Sequence, residues 1–298
     1  MKTEKIEEKR RRGRPSKQIT IYNEKKVNKQ TKKEIVKEEV MEVVLDEIQE
    51  IEEIQESVLV EEQEVVSDVI TENVPKENIS LGNIKTFDLP KDKYYDETTI
   101  KRQIVLHHTG TAPGVKSDIN YYLRSNDKTS THYLIERNGD IINVIDPDKW
   151  CHHLKIKNLE FKEYELQNLN TLLNKSSISI DLDSWGELEK VNDNRYKNNG
   201  GIPITILKDD VSYYEKGFKG SYYYQKYTNQ QLESLKKLLI YLSNKYNIPL
   251  TYKGDEIFNK NKNALTGEEG VWTHVSYRTD VNNCHPDEKL VELLKSFK

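Results

Sequence analysis

Opposed blocks of charge at the start of the chain most constrain what it can fold into. Residues 1–33 carry 13 Lys and Arg against 4 Asp and Glu, whereas residues 34–77 carry 2 against 16. The net charge of −4 for 298 residues therefore conceals two segments that cancel each other. Because highly charged segments bury too little apolar surface to fold, and apolar residues concentrate after about Asp88, we expect a globular core only in the last two thirds of the chain.

Residues 1–33 are interpreted as a basic disordered tail. Residues 9–17 contain Arg-Gly-Arg-Pro between further basic residues, which resembles an AT-hook, a short segment that lies in the minor groove of A·T-rich DNA. A solvated tail that touches polyanions without specificity is the simpler interpretation. Contact with nucleic acid or a virion through residues 9–17 therefore stays one hypothesis of two.

Residues 34–72 are predicted to form an acidic amphipathic helical arm. Apolar residues recur there at spacings of three and four, at Val36, Val40, Val44, Ile48, Ile51, Ile54 and Val58. This pattern allows pairing with a helical partner through residues 34–60, but it is too short and too interrupted to predict a coiled coil. Residues 73–97, with Pro75, Gly82 and Pro90, are predicted as a linker that leads into a domain at 98–298.

Targeting signals and cysteine usage narrow the cellular setting. The first 17 residues have no apolar stretch, and nothing downstream approaches 18 consecutive apolar residues, so neither a signal peptide nor a membrane span is predicted. Synthesis in a host cytoplasm without export by that route is the expectation. Cys151 and Cys284 are too few for a disulfide framework, and each stands beside a histidine, which favours metal or thiol chemistry.

Strand and helix patterns alternate from Gln103 onwards. Gln103–His107 is a short β-branched run typical of a buried strand, and Ser117 or Asp118 is predicted to cap a short helix. Two apolar runs, His132–Arg137 and Asp140–Ile145, surround Asn-Gly, which readily forms a type I′ turn. The alternation therefore predicts an antiparallel hairpin after the first strand and helix.

The second half of the domain continues the alternation. Ser177–Leu182 places Ile178, Ile180 and Leu182 on one face and Asp181 on the polar face of a strand. Thr228–Gln231 has the form of a capping box before a helix, and a last strand at 271–274 and a last helix at 287–297 follow. These elements predict an α/β sheet with helices on its faces, and the aromatic cluster 218–224 with Tyr227 is interpreted as packing and loop structure rather than sugar binding.

The histidines and Cys284 form the constellation that can carry chemistry. His107 and His108 end the first strand, and His274 precedes Cys284 by ten residues. A catalytic zinc site uses three protein ligands and one open position, and two His and one Cys suit that metal. The alternative, that these histidines are hydrogen-bonded residues at strand ends, stays open on residue types alone. His107 and His108 are not expected to bind one metal together, because neighbours in a strand point to opposite faces.

Six blocks in order then resemble one family: LHHTG, STHYLIERNG, WCHHLKIKN, NKSSISIDLDSWGEL, YTNQQLESLKKLL and THVSYRTDVNNCHPD. Over residues 98–298 they resemble the zinc-dependent N-acetylmuramoyl-L-alanine amidases of type 2, which include phage lysozyme-type amidases and are similar to peptidoglycan recognition proteins. The resemblance implies a central mixed β-sheet flanked by helices. It also implies Zn²⁺ as cofactor and hydrolysis of the amide bond between N-acetylmuramic acid and the L-alanine of the peptidoglycan stem peptide.

The resemblance assigns roles to particular residues. It implies that His107, His274 and Cys284 are the metal ligands, with Asp280 a rival for the third position whose spacing from His274 is short. Asp181 stands where some branches of the family have a glutamate, so it is the candidate general base, and a solvent-facing strand acid is its alternative reading. Thr131 replaces the tyrosine of the phage lysozyme branch.

Further residues are candidates for binding substrate or stabilising the oxyanion. The family often has a lysine two residues before its third ligand, and Asn282 stands there. Trp150 and the His pair of the WCHH block resemble a segment that lines the family's cleft. The alternative is that the Trp belongs to the core and the His pair to the surface. The candidates are His108, Thr109, Trp150, His153, Arg278, Asn282 and His285.

Three functions compete. The first is a zinc amidase that degrades the bacterial cell wall as a phage or prophage lysin, either reaching the wall from the host cytoplasm for bacteriolysis or carried in the virion. The second is a non-catalytic peptidoglycan-binding module, against which Cys284 argues because such sites usually lose the third ligand. The third is a virion-associated protein with a DNA-contacting tail. The ordered blocks favour the first, a metal-binding hydrolase of the endolysin type.

Overall fold

The computed structural model describes residues 84–111, 114–198 and 206–297. The predicted basic tail, the acidic arm and residues 73–83 of the predicted linker lie outside these ranges. The proposed contacts through residues 9–17 and 34–60 lie outside them as well. Within the described ranges, no helix is long and apolar enough to cross a bilayer.

The strands are β1 (Lys85–Thr86), β2 (Gln103–His108), β3 (Tyr133–Ile135), β4 (Ile141–Asn143), β5 (Ser177–Leu182), β6 (Glu187–Asn192), β7 (Arg195–Asn198), β8 (Val211–Phe218), β9 (Ser221–Gln225) and β10 (Gly270–Thr273). The helices are α1 (Lys116–Arg124), α2 (Asn158–Lys162), α3 (Asn170–Lys175), α4 (Asn229–Tyr246), α5 (Lys262–Leu265) and α6 (Glu288–Lys295). Short 3₁₀ turns lie at Lys91–Lys93, Lys208–Asp210, Asp255–Phe258 and His274–Ser276.

A six-stranded mixed sheet in the order β1-β4-β3-β5-β2-β10 forms the centre of the domain. Every neighbouring pair is parallel except β3 and β4, which form the predicted antiparallel hairpin. β2 and β5 pair in a register that sets His107 opposite Asp181. Because residues opposed in a parallel pair share a face, this register brings two predicted site residues side by side. The predicted α/β class with a central mixed sheet is confirmed.

Helix α4 covers the sheet with the predicted leucine stripe. Leu235, Leu239 and Leu242 are fully buried in the main core, and a buried leucine contributes about 1.5–3 kcal/mol relative to an exposed one. The capping box is present: Thr228 accepts from the Gln231 backbone N–H at 3.1 Å, and the Gln231 side chain accepts from Thr228 N–H at 3.0 Å. The box begins the helix where the sequence predicted.

Two local predictions differ from the structure. Helix α1 begins at Lys116 with Val115 at its N-cap and no side-chain cap, because Asp118 is buried and accepts a hydrogen bond from Thr111 instead. The β3–β4 connection is not a type I′ turn. Glu136 O accepts from Gly139 N–H at 2.8 Å and only Gly139 of the turn has positive φ, +88°, as expected when five residues rather than two join the strands.

Residues 84–97 are part of the fold, although they were predicted as linker. β1 extends the sheet by pairing with β4, and Tyr95 stacks on Trp150 with ring centroids 3.7 Å apart. The proline and glycine content of this segment therefore marks an irregular edge of the domain. It does not mark a free connection.

A second sheet was missed by the sequence patterns. Four antiparallel strands in the order β7-β6-β9-β8 follow the end of β5, with their own small core of Trp185, Leu188, Tyr196, Ile206 and Val211. The aromatic cluster 218–224, predicted as loop, forms the end of β8 and most of β9. The turn between these strands uses Lys219 and Gly220 at positive φ. Mixed polar and tyrosine residues hid these strands, because one of their faces packs on the domain and the other is exposed.

Candidate functional site

A cavity of about 320 Å³ opens at the ends of β2 and β5. Ends of parallel strands at one sheet edge are the usual place for a ligand site in α/β proteins. A larger cavity of about 570 Å³ lies between β8 and the start of α4, but none of the predicted metal ligands lines it. We therefore take the smaller cavity as the candidate active site. It is lined by His107, His108, Thr109, Thr111, Asp118, Tyr121, Tyr122, Thr129, Ser130, His153, Lys155, Asp181, His274 and Asn283.

His107 lies in the cavity with its ring orientation set by a relay of hydrogen bonds. Its Nε2 is 3.2 Å from His153 Nδ1, and His153 Nε2 is 2.8 Å from Ser177 Oγ. The Ser177 hydroxyl donates to the Leu173 carbonyl at 2.5 Å, so Ser177 Oγ accepts from His153 Nε2–H. His153 Nδ1 then accepts from His107 Nε2–H. This relay leaves Nδ1 of His107 as a lone pair that bonds to no described residue.

His274 meets His107 across the cavity, with ring centroids 4.5 Å apart. Its Nε2 lies 2.8 Å from the Leu154 carbonyl, which can only accept, so Nε2 carries the proton. Its Nδ1 lies 3.0 Å from Oδ1 of Asn283. The structure therefore brings the rings of the first two predicted ligands together at the cavity.

Cys284 lies outside this group. His108 Nδ1 is 3.2 Å from the Tyr227 hydroxyl, which is 2.9 Å from Cys284 Sγ. His108 itself lines the cavity, whereas Cys284 does not. Cys284 is fully buried, and burial raises the pKa of its thiol to about 12. It is a neutral thiol that does not line the cavity.

The residues present therefore do not complete the expected zinc site of His107, His274 and Cys284. Across the described part of the chain, no three or more His, Cys, Asp or Glu side chains are arranged to hold a metal ion. The rival ligand Asp280 is also elsewhere: Arg278 donates two hydrogen bonds to it, at 2.8 and 2.9 Å, and Lys157 a third at 2.6 Å. Of the three predicted ligands, His107 and His274 line the cavity.

Asp181 faces the same cavity and is held by Tyr122, whose hydroxyl donates to Oδ2 at 2.7 Å. Burial raises the pKa of Asp181 to about 7. Asp118 stands nearby, and burial, with a smaller contribution from the Asp181 charge, raises its pKa to about 7 as well. Oδ2 of Asp118 is buried without a hydrogen-bond partner in the structure. Asp181 is thus a half-buried acid at the cavity that can exchange a proton near neutral pH.

The buried histidines around the site are neutral at pH 7. Burial lowers the pKa of His107, His108 and His153 well below the usual range. It also lowers the pKa of His274 to about 4 and that of His285 to about 3. Neutral imidazoles offer one lone pair each, which is the form that binds metals and accepts protons.

Several predicted substrate or oxyanion residues lie away from the cavity. Trp150 packs in the core against Tyr95, and its indole donates to Glu97 at 2.8 Å. Arg278 is engaged with Asp280, and Asn282 donates to Glu187 at 2.9 Å. His285 is buried between the Tyr224 and Tyr227 rings. Of the remaining candidates, His108, Thr109 and His153 line the cavity.

Eight lining residues were not among the predicted site residues: Thr111, Asp118, Tyr121, Tyr122, Thr129, Ser130, Lys155 and Asn283. Asp118 and Tyr122 lie four apart on α1, so their shared face was readable as a helix stripe. Lys155 follows the WCHH block, where only the aromatic and imidazole groups were considered. Asn283 stands between two residues that were considered, and no pattern in the sequence distinguished its side chain from theirs.

Comparisons with known proteins were made against families and solved structures. A family described as N-acetylmuramoyl-L-alanine amidase matches residues 97–287. Similar solved structures include PlyL (15% identity, 73% of this chain and 98% of that chain, TM-score 0.40) and the endolysin amidase LysCS from Clostridium intestinale URNW (17%, 73% and 96%, TM-score 0.38). Staphylococcus aureus hydrolase AmiA, solved with its ligand, is 13% identical over 74% of this chain and 85% of that one, with a TM-score of 0.39. No curated protein sequence matches significantly.

Proposed function

Because this chain belongs to the N-acetylmuramoyl-L-alanine amidase family, we propose that it hydrolyses the amide between the lactyl group of N-acetylmuramic acid and the L-alanine of the stem peptide. We propose further that it does so as a phage or prophage lysin that acts on the bacterial cell wall. The observation that carries the proposal is the half-buried Asp181 carboxyl at the edge of a cavity that also holds the His107 and His274 rings.

Asp181 acts as the general base. In its ionised form it accepts a proton from a water molecule as that water attacks the carbonyl carbon of the lactyl group. The carbon–nitrogen bond of the amide then breaks, and the same carboxyl returns the proton to the amine nitrogen of L-alanine. Tyr122 keeps Oδ2 in place through its 2.7 Å hydrogen bond.

The rim of the cavity suits a peptide substrate. Lys155 lies there with its ammonium 3.0 Å from Asp127, on the exposed side. Tyr121 is 50% exposed and offers a flat apolar surface. We assign Lys155 to carboxylates of the stem peptide and Tyr121 to packing against the substrate, because an exposed cation and an exposed ring bind such groups without strict geometry.

Members of this family are typically zinc-dependent, and we propose His107 and His274 as the residues that this cavity offers to Zn²⁺. The Cys284 thiol lies 2.9 Å from the Tyr227 hydroxyl and does not line the cavity. The described residues therefore supply two of the three protein ligands that a catalytic zinc site uses. The proton transfers above are assigned to Asp181.

The experiment uses the full chain and purified peptidoglycan. Hydrolysis at the proposed bond releases new amino-terminal L-alanine, which end-group labelling detects, and it shortens no glycan strand. Release of reducing sugar ends without new L-alanine termini would exclude the amidase reaction. The assay should be run with and without added Zn²⁺.

Binding of peptidoglycan without cleavage is the second candidate. The position of Cys284 favours it, since the thiol that argued for an intact metal site is not at the cavity. Co-sedimentation with insoluble peptidoglycan in the absence of any L-alanine release would support this candidate. Contact of residues 9–17 with DNA is a separate hypothesis, and a salt-sensitive mobility shift that is lost when residues 1–33 are removed would support it.

A further inference from the structure

A second cavity adjoins the candidate active site at Asn283. Its volume is about 430 Å³, a size that suits a small ligand. Its lining consists of residues 279–283 together with Glu187, at the start of β6, and Lys219, in the turn between β8 and β9. Asn283 lines both cavities. A substrate that extends from the active site past Asn283 therefore enters this second cavity, which we call the side cavity.

Lys219 brings an uncompensated positive charge to the side cavity. It is half-buried, and burial lowers the pKa of its ammonium group below the usual value. Among the described residues, this ammonium has no hydrogen-bond or ion-pair partner. Lys260, whose charge acts on Lys219, differs because it pairs with Glu160 and Glu163. A half-buried cation without a counter-ion favours the binding of an anionic group, because that group offsets the cost of burial.

Glu187 brings the opposite charge to the same cavity. Its carboxylate is half-buried and accepts a hydrogen bond from the Asn282 amide at 2.9 Å. It forms no ion pair with any residue that the structure describes. Lys219 and Glu187 therefore line one cavity without pairing with each other. Space for a ligand separates the two charges.

The charges of the lining select the chemistry of the ligand. Asp280 contributes little, since Arg278 and Lys157 already pair with it. A simple anion would meet the carboxylate of Glu187, and a simple cation would meet the ammonium of Lys219. A neutral group would leave both charges unpaired. A zwitterionic group, with an amine and a carboxylate several atoms apart, pairs with both.

We propose that the side cavity binds a zwitterionic group of the stem peptide, with Lys219 contacting its carboxylate and Glu187 its ammonium. A peptide cross-link is an amide formed from the amine of one stem and a carboxyl of another, so cross-linking removes the charges that the side cavity recognises. The side cavity therefore makes the protein selective for stems that are not cross-linked. The inference rests on the proposed function for the identity of the peptide, but binding is measured without hydrolysis.

The test titrates the full chain with three synthetic peptides by calorimetry. The first, N-acetyl-L-alanyl-D-glutamyl-L-lysine, carries a free side-chain amine and a free carboxylate on its last residue. The second has that amine acetylated, and the third has that carboxylate converted to an amide. The first peptide should bind at least about tenfold more tightly than either derivative, because each derivative loses a hydrogen bond between charged groups.

Two variants assign the two charges. Lys219→Gln should bind the first and third peptides equally but still prefer the free amine, and Glu187→Gln should show the reverse. Lys216→Gln and Glu215→Gln are the matched controls, since both residues are exposed in β8 and lie outside the lining of the side cavity. Both controls should keep both preferences. The same loss in Lys216→Gln as in Lys219→Gln would overturn the proposal, because the effect would then be one of net charge.

The wild type gives a result that does not depend on how the variants fold. Equal binding of the three peptides, or no binding of any, would overturn the proposal. A wild type that releases L-alanine from peptidoglycan but binds the three peptides equally refutes this inference and leaves the proposed function standing. A wild type that binds them as stated but releases no L-alanine refutes the proposed function, and the side cavity remains a peptide-binding site.

Discussion

Tyr122 donates a 2.7 Å hydrogen bond to the carboxyl of Asp181, and this contact joins helix α1 to strand β5 at the edge of the cavity. The hydrogen bond opposes the effect of burial, because it stabilises the ionised carboxylate while desolvation destabilises it. The pKa of Asp181, about 7, is the balance of desolvation against the hydrogen bonds from Tyr122 and Thr131. Removing the hydroxyl tests that balance without altering the carboxyl.

Tyr122→Phe should raise the pKa of Asp181 and move the activity profile to higher pH. A hydrogen bond to a charged group contributes about 1.5–3 kcal/mol, so we expect about a tenfold or greater loss of kcat at pH 6. The loss should shrink as the pH passes about 9, where most of the carboxyl is ionised even without this hydrogen bond. Tyr121→Phe is the control, since that hydroxyl makes no hydrogen bond to Asp181. Equal losses at all pH values would indicate a purely structural role for Tyr122.

Asp181→Asn should lower kcat by about 10²- to 10⁴-fold, the usual contribution of general base catalysis. The amide fills the same space and leaves the peptidoglycan surface contacts intact, so co-sedimentation with peptidoglycan should be unchanged. Asp118→Asn is the neighbouring control and should retain most of the activity. If Asp181→Asn kept the wild-type rate, Asp181 would not be the base.

The pH dependence of activity and that of stability should have opposite signs. Activity requires ionised Asp181, so it should rise with pH through about 7. The folded-state pKa of Asp181 is raised above the ordinary aspartate value of 3.8, so the folded state binds the proton more tightly and loses stability as pH rises from about 4 to about 7. Relative to wild type, Asp181→Asn should therefore be more stable to urea at pH 8 than at pH 4. A relative stability that does not change with pH would contradict the raised pKa.

Ser177→Ala should destabilise the domain by about 1–3 kcal/mol, because the buried His153 Nε2–H then has no acceptor. The free energy of unfolding in urea measures the change. Ser176→Ala is the matched control, since Ser176 bonds only to the Leu172 carbonyl and is partly exposed. A cost for Ser176→Ala as large as that for Ser177→Ala would mean that the relay from Ser177 to His107 does not contribute.

Gly186→Ala should be among the more damaging small substitutions, at about 2 kcal/mol or more. Gly186 has φ of +63°, and an added Cβ would lie 2.4 Å from Nε2 of His108. Gly220→Ala has the same kind of backbone, at φ of +92°, but meets no heavy atom within 4 Å. It should therefore cost only the backbone strain of about 1 kcal/mol. Similar thermal unfolding of both variants would show that His108 gives way easily.

Much of the fold followed from local pattern. The alternation of Ser177–Leu182 and the capping box at Thr228 were each found where predicted, because side-chain period and cap chemistry act over a few residues. The second sheet, β6 to β9, was not predicted. Its strands mix tyrosine with charged residues, and such strands are stabilised by pairing with distant partners rather than by their own composition.

The candidate site shows the same contrast between local sequence signals and contacts with distant elements. Asp181 and His107 could be matched because a parallel register of β2 and β5 sets them opposite each other, and each had a sequence signal of its own. Trp150 and Arg278 had equally clear signals and lie elsewhere. Residue type states what a side chain can do, whereas the cavity to which it contributes depends on elements far away in the chain.

The family resemblance named His107, His274 and Asp181 as candidate site residues, whereas the sequence by itself determined the α/β class and the order of the main strands and helices. It did so because periodicity and strand ends leave marks within a few residues. Only the tertiary structure decided that Asn283, and not its neighbour Cys284, faces His274. Asn283 and Cys284 are neighbours in a loop, and the sequence does not show which way each side chain points. Cys284 contacts the Tyr227 hydroxyl, and Asn283 contacts the His108 carbonyl.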